Sequence, residues 1–306
     1  MISKEVRIAL IGEAPGATEE KTRRPFQGES GKLLSQMLSD AGIVPRDCMI
    51  ASFSKDNLDD LRLLSHQLAE VKPNIAIALG NTALWALTSH TAISKYRGTI
   101  IWSDGSAPVR FKGKVLPTFH PTSILRNWKF LPIAVADLIK AKENSSTPEF
   151  DKPERMILIP QMPEEVETFF ANIPDGAEVA IDIETYRNNL ISCIGFSKTP
   201  SIAMVVPFCS KTTASGRYWT HLRVERRVWE ILRTNLESRR FVKVFQNGLY
   251  DLRYLFAEAS IRVQGPFVDT MVLHHALYPE LPKSLGFLGS IYTNETAWKQ
   301  ERNGNR

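Results

Sequence analysis

Short apolar runs at residues 7–12, 75–79 and 114–118 each give way to a turn and then to a helical pattern. No other feature narrows the fold of the first half so far. Leu33, Leu34, Met37, Leu38 and Ala41 fall on one helix face. Leu58, Leu61, Leu64, Leu68 and Val71 do so in a second helix, capped at Asp56-Asn57 and with Asp59 and Asp60 in its first turn. Residues 82–87 form a further helix behind Gly80-Asn81. Strands that alternate with helices are joined by crossovers. The expected fold class is therefore α/β, a parallel or mostly parallel sheet covered on both faces, with ligands at the carboxyl ends of its strands.

The second half reads differently. Residues 157–159, 179–183, 191–196 and 202–206 have strand character, and the last three are consecutive enough for an antiparallel meander. Helices are expected at about 224–237, 250–258 and 269–277, so this half is α+β or built on a mixed sheet. Residues 142–153 are polar and marked by Pro148 and Pro153. The sequence thus predicts a first domain over 1–142, a linker over 143–155 and a second domain over 156–306, as the length of 306 residues suggests.

Composition adds limits. With 43% hydrophobic residues the chain can fill two cores, while no apolar run reaches the roughly 18 residues that cross a bilayer. No signal-peptide core follows Met1. No membrane partner is expected, and the chain is read as cytoplasmic. Cys48, Cys193 and Cys209 are far apart and form no metal-binding spacing. A net charge of +5 favours a polyanionic partner.

Candidate chemistry is plainest at Val179-Ala180-Ile181-Asp182-Ile183-Glu184-Thr185. Residues i and i+2 of a strand share a face, so Asp182 and Glu184 stand side by side. Burying unpaired carboxylates costs several kcal/mol, and such a pair suits a hard cation such as Mg²⁺ or Mn²⁺. A third carboxylate follows a later strand at Asn247-x-x-x-Asp251, one helical turn long. Three carboxylates are what two-metal phosphodiester hydrolysis uses.

In the first half, Gly12-Glu13-Ala14-Pro15-Gly16, Pro25-Phe26-x-Gly28-x-Ser30-Gly31, Leu79-Gly80-x-x-Ala83, Tyr96-Arg97-Gly98 and His120-Pro121-Thr122-x-x-Leu125-Arg126 occur in this order. Residues 5–140 so resemble the uracil-DNA glycosylase superfamily, nearest its family 4 branch. The resemblance implies a three-layer α/β/α domain in which Glu13 orients or activates water, Phe26 stacks on an extruded uracil and His120 stabilises charge growing on uracil O2. Backbone amides of Ser30 and Gly31, with Thr122, Ser123 and Arg126, would hold phosphates. Family 4 relatives carry four cysteines for an iron-sulfur cluster. This half has only Cys48, so no iron-sulfur cluster is expected. Where relatives place an asparagine to read the base, Ser52 stands here, with fewer fixed hydrogen bonds.

The second half resembles the proofreading 3′-5′ exonuclease of family A DNA polymerases, in the DEDD superfamily with its ribonuclease H-like fold. Asp182-x-Glu184-Thr185, Asn247-x-x-x-Asp251, Phe267-Val268-Asp269-Thr270-Met271 and Pro282-Lys283-Ser284-Leu285 carry the likeness. It implies that Asp182, Glu184 and Asp251 are catalytic metal ligands and that Asn247 contacts the terminal nucleotide. Asp269 reads as a helix N-cap. The relatives' closing Tyr-x-x-x-Asp is missing: Tyr254, Tyr278 and Tyr292 precede Glu258, Pro282 and Thr296 at that spacing. Either the chain is a piece of a longer polymerase-like protein or its exonuclease domain is shortened.

The leading expectation is a phage-type DNA replication and repair protein that joins a metal-dependent exonuclease to a base-recognition domain. It would act on single-stranded DNA or 3′ ends, with a polymerase domain or subunit as partner, in the host cytoplasm if phage-encoded. The alternative is a non-catalytic DNA-binding module with degenerate sites.

Overall fold

The first-half runs are strands in the computed structural model, which describes residues 6–13, 26, 28–150, 154–186 and 190–297. Two units are distinguished by their internal contacts, 1–151 with 280–306 and 152–279.

In the first unit β1 (Ile8–Glu13), β2 (Cys48–Phe53), β3 (Ile75–Leu79), β4 (Ile101–Asp104) and β5 (Lys112–Thr118) form a sheet in the order β2-β1-β3-β5-β4. All pairings are parallel except β4 with β5. The central β3 is buried throughout, as a near-continuous aliphatic strand covered on both faces must be. On one face Ile8, Leu10, Ile77 and Leu116 pack with α1 (Glu29–Asp40) and α6 (Leu131–Glu143). On the other, Ala9, Ile11, Ala76, Ala78 and Val115 pack with α2 (Leu58–Val71) and α3 (Asn81–Thr88). This is the expected three-layer arrangement. Asn57 caps α2 by accepting from the Asp59 amide at 3.0 Å. Leu58, placed on the buried face by spacing, is instead 69% exposed, because at the first helical position it lies off the Leu61–Leu64–Leu68 stripe. Strand β4 was not foreseen; it is a short edge strand whose Ser103 hydroxyl is turned inward to the carbonyls of Leu87 and Phe111.

Residues 144–147, read as linker, are fastened to the first unit: Lys114 Nζ donates to the carbonyls of Asn144 and Thr147 at 2.6 Å, and Asn74 Nδ2 to that of Ser145 at 2.8 Å. Residues 151–153 lie outside the described residues. The stretch 280–297, read from sequence as the end of the second domain, packs in the first unit. Leu281 is buried in the core over β1, β3 and β5, with Phe287 and Ile291 of α11 (Leu285–Tyr292) against that cluster.

The second unit has the sheet order β11-β10-β7-β8-β9-β6. β7 (Glu178–Tyr186), β8 (Leu190–Thr199) and β9 (Ile202–Pro207) form the antiparallel meander expected. β10 (Val242–Phe245) runs parallel to β7 and β11 (Phe267–Asp269) parallel to β10. β6 (Met156–Leu158) lies parallel to β9 at the far edge. One reversed strand in an otherwise parallel-dominated sheet is the ribonuclease H-like mixed sheet. β7 alternates strictly, with Val179, Ile181 and Ile183 in the core beside Ile194, Phe196 and Phe170. Glu178, Ala180, Asp182 and Glu184 take the other face. Helices α7 (Pro163–Ala171) and α8 (Leu222–Leu236) supply Phe169, Phe170, Val228 and Leu232 to this core. α9 (Leu249–Ala259) follows β10, and α10 (Thr270–Leu277) follows β11.

Candidate functional site

In the first unit the carboxyl ends of β1, β3 and β5 deliver Glu13, Gly80 and His120 to one edge of the sheet. His120 caps α5 (Pro121–Arg126): its Nδ1 accepts from the Thr122 amide at 3.2 Å. The proton of the neutral ring therefore belongs on Nε2. Burial holds His120 below its ordinary value, and the Glu13 carboxylate opposes this without reversing it. The same interaction places Glu13 within electrostatic reach of the ring. Phe26 lies 6.0 Å from His120 between ring centroids, with 30° between the planes. The three residues that sequence brought to one pocket are thus neighbours.

Two glycines make room for Phe26. A Cβ on Gly12 would come within 2.4 Å of Phe26 Cζ, and one on Gly31 within 1.8 Å of the Phe26 carbonyl oxygen. Gly31 therefore plays a part other than the one expected of it. Its amide donates to Gly28 O at 3.0 Å inside the turn, so it is spent there and is not turned to a phosphate. The amides of Thr122 and Ser123 are likewise taken up by His120. For a ligand these two residues offer hydroxyls, beside the exposed Arg126, while Ser30 sits in the first turn of α1. Ser52 pairs with Gly12 across β2 and β1, on the sheet face towards Phe26. Ala14, Pro15, Gly16 and Pro25, which carry part of the motifs, lie outside the described residues.

Sequence reasoning missed Thr82. Its hydroxyl, in the first turn of α3, donates to Glu13 Oε1 at 2.7 Å and fixes one carboxylate oxygen. The available signal was a hydroxyl residue in the turn after a strand end, at one of the unspecified positions of Leu79-Gly80-x-x-Ala83.

The second unit has its own crevice. β10 pairs with β7 only at Glu178, Val179 and Ala180, then leaves it. The opened edge of β7 is where Asp182 and Glu184 stand, and a split between neighbouring parallel strands is where such sheets bind ligands. Asp251, in the first turn of α9 and 3% exposed, fills the gap: its Oδ1 accepts from the freed Ile183 amide at 2.9 Å. Burial raises its carboxyl to about 6; the Ile183 amide works against that rise, and the charges of Asp182 and Asp269 add to it. Asp182 and Glu184 also raise the thiol of Cys193, which burial raises most. One field thus covers this end of β7.

Asp269 is the N-cap of α10. Its Oδ1 accepts from the Met271 amide at 2.9 Å and its Oδ2 from the Gly248 amide at 2.7 Å, so it also ties down the turn that presents Asn247. Asn247 is exposed, with φ +61°. Thr185 Oγ1 and Tyr250 OH are 2.8 Å apart and link β7 to α9, a contact not foreseen.

Asp182 and Asp251 are brought together and Glu184 stands two residues along the same face. They are not drawn into a cage: among the described residues no three His, Cys, Asp or Glu side chains are grouped to hold one metal ion. The Asp251 carboxylate is engaged by the β7 backbone at the Ile183 amide. The donor set nevertheless fits a hard divalent cation, being all oxygen and mutually repelling, with Asp251 pushed towards its neutral form by its surroundings. Also among the described residues, no helix is long and apolar enough to cross a membrane.

Comparison with known proteins gives two family matches: the uracil DNA glycosylase superfamily over residues 1–140, and the 3′-5′ exonuclease over residues 156–306. Both are families of hydrolytic enzymes that act on nucleic acid. The type-4 uracil-DNA glycosylase of Thermotoga maritima is 35% identical over 155 residues, 45% of this chain and 77% of that protein. The DNA polymerase of Bacillus phage SP01 is 26% identical over 309 residues, covering 89% of this chain. The chain spans 33% of that polymerase's length. Among solved structures, Brucella melitensis NrnC with bound Mg²⁺ is similar at 16% identity and a TM-score of 0.31, over 48% of this chain and 64% of that one. The chain therefore belongs to the uracil DNA glycosylase superfamily through residues 1–140 and carries the 3′-5′ exonuclease domain through residues 156–306.

Proposed function

We propose that the chain is a DNA-processing hydrolase that trims 3′ ends at the acidic crevice and inspects extruded bases for uracil in the Phe26–His120 pocket. The observation that carries the exonuclease reading is Asp251 seated at the split of β7 and β10 beside Asp182. Asp182, Glu184 and Asp251 would hold Mg²⁺ or Mn²⁺, which when bound supplies an activated water and steadies a leaving 3′ oxygen. Asn247, exposed at the mouth, would contact the terminal nucleotide of single-stranded DNA or a frayed 3′ end. A polymerase domain or subunit is the partner suited to such trimming, as the match to a phage polymerase supports.

For the base pocket the chemistry runs through residues in place. Phe26 offers a ring face to an extruded base. Neutral His120 carries its proton on Nε2, since Nδ1 is occupied, and so can donate to a carbonyl oxygen gaining charge as the glycosidic bond breaks. Glu13, oriented by Thr82, presents its second oxygen to a water. Ser52 would meet the base edge with a single hydroxyl. Thr122, Ser123 and Arg126 would hold the flanking phosphates.

The test uses one oligonucleotide for each site. A 3′-labelled single strand with Mg²⁺ should shorten with the wild type and not with Asp182→Ala. A uracil-containing strand, cleaved by alkali after incubation, should report excision that Glu13→Ala abolishes. Trimming that persists in Asp182→Ala would show that the ligands are misassigned. Failure of both reactions in the wild type would favour the non-catalytic DNA-binding alternative.

A further inference from the structure

Residues 280–293 match the exonuclease family but are built into the glycosylase-like unit. Ser290 of α11 accepts from Arg97 Nη1 at 2.9 Å. Arg97, 3% exposed, donates through Nε to Asp137 Oδ2 at 3.0 Å and through Nη2 to Oδ1. The same Asp137 Oδ2 accepts from the Thr118 hydroxyl at 2.7 Å. Lys140 Nζ donates to the carbonyls of Gly98 at 2.9 Å, Thr293 at 2.6 Å and Ser290, so a buried ammonium caps the carboxyl end of α11. Gly98, at φ +70°, is where the parts meet. A Cβ there would lie 2.6 Å from Asp137 Oδ1 and 2.9 Å from Ser290 O. The Tyr96-Arg97-Gly98 motif, which the chemistry of the base pocket left unused, is the seat of this helix.

The network ends next to the pocket. Thr118 is the last residue of β5, and His120 follows two residues later. The Thr118 carbonyl accepts from the Gly80 amide at 2.9 Å, and the Pro117 carbonyl from the Gly98 amide at 2.8 Å. Gly80 in turn carries His120 on its open side, where a Cβ would stand 3.1 Å from His120 Cβ. Arg97, Asp137 and the end of β5 thus connect α11 to the strand end that precedes His120.

We propose that Ser290, with α11, is a positioning residue of the base pocket: a helix from the exonuclease-type region sets His120 through Arg97, Asp137 and Thr118. The proposal rests on the reading that His120 faces the base. Ser290 touches no substrate; it acts through the strand end.

The experiment follows the His120 imidazole by NMR in the full chain as pH is varied, together with kcat and KM for uracil excision. In the wild type the midpoint lies below about 6.5. Ser290→Leu, which removes the acceptor and overfills its site, should move the midpoint up towards about 6.5 and lower kcat about tenfold, with KM within about twofold. Ser290→Ala should give a smaller shift in the same direction, and Ser290→Thr, which keeps the hydroxyl, should retain wild-type values. A helix that only stabilises the fold would change the urea midpoint and leave the titration of folded protein as it was. An unchanged His120 midpoint in folded Ser290→Ala overturns the proposal, whether or not Ser290→Leu folds. The titration needs no turnover. A wild type without excision would therefore refute the functional reading alone, and the NMR result would still decide the seating of His120.

Discussion

Gly98→Ala should be among the most costly single-methyl substitutions in the first unit. Two effects add. At φ +70° an alanine is held in the left-handed region, which costs about 1–2 kcal/mol. Its methyl would also sit 2.6 Å from Asp137 Oδ1 and 2.9 Å from Ser290 O. Neither atom is the loose end of a flexible chain: the first is tied to Arg97 and the second to Lys140. Overpacking of a fixed site costs about 1–3 kcal/mol, so the total is about 2–5 kcal/mol. Gly105→Ala is the matched control. It shares the unit and the sign of φ, at +87°, but its Cβ would approach nothing closer than Phe111 O at 3.8 Å. It should cost only the conformational part. The assay is urea-dependent hydrogen exchange of the full chain, read on peptides from the first unit so that unfolding of the other unit does not enter. If Gly98→Ala costs no more than Gly105→Ala, α11 does not pack against Gly98 and the reasoning about the 280–293 stretch fails.

Thr82→Val should lower uracil excision about tenfold to a hundredfold, since a hydrogen bond to a carboxylate is worth about 1.5–3 kcal/mol, while Thr82→Ser should stay near wild type; equal losses in both would remove the hydroxyl from the account. Burial lifts the Asp251 carboxyl to about 6, so at low metal 3′ trimming should rise with pH to about 6 and then level, with the midpoint moving down as Mg²⁺ is added. A flat profile from pH 5 to 7 would contradict this. The same shift has a stability sign. Between about pH 4 and 6 the folded chain binds the Asp251 proton more tightly than the unfolded chain does, so stability falls as pH rises through that window. Metal-free Asp251→Asn should therefore unfold at higher urea than wild type at pH 7, with the advantage gone below about pH 4. His120 carries the opposite sign: its value is lowered by burial, so the unfolded chain takes up the proton first, and stability is lost as pH falls below about 6.5. His120→Asn should flatten that slope in urea midpoints measured between pH 7 and 5.

What the chain spells out locally is what could be read from it. The alternation of β7 places Asp182 and Glu184 on one face because the period of a strand is fixed, and Asp269 before Thr270 is a cap in any context that makes a helix there. The glycines around Phe26 were legible as places of close approach. What they approach was not: Gly31 clears the Phe26 carbonyl and spends its amide on Gly28, a contact set by the course of a turn rather than by a residue type. Longer reach is lost altogether. Arg97 and Ser290 are 193 positions apart, and the apolar spacing of Leu281, Phe287, Leu288 and Ile291 states that a face must be buried without stating where. Family length and folding unit therefore part company at residue 280. A fragment of residues 1–151 would keep every residue of the glycosylase match. It would also open to water the site that Leu281 fills and remove the acceptor of Arg97 Nη1 and two of the three acceptors of Lys140 Nζ, leaving only the Gly98 carbonyl. Loss of one buried Leu side chain's contacts alone costs about 2–5 kcal/mol, enough to lower the urea midpoint of that fragment well below that of the same unit in the whole chain. Equal midpoints would mean that 280–293 adds nothing to the unit it is packed in. The two family regions are thus consecutive in sequence but do not coincide with the two folding units, and a cut at the linker would separate the families without separating the folds.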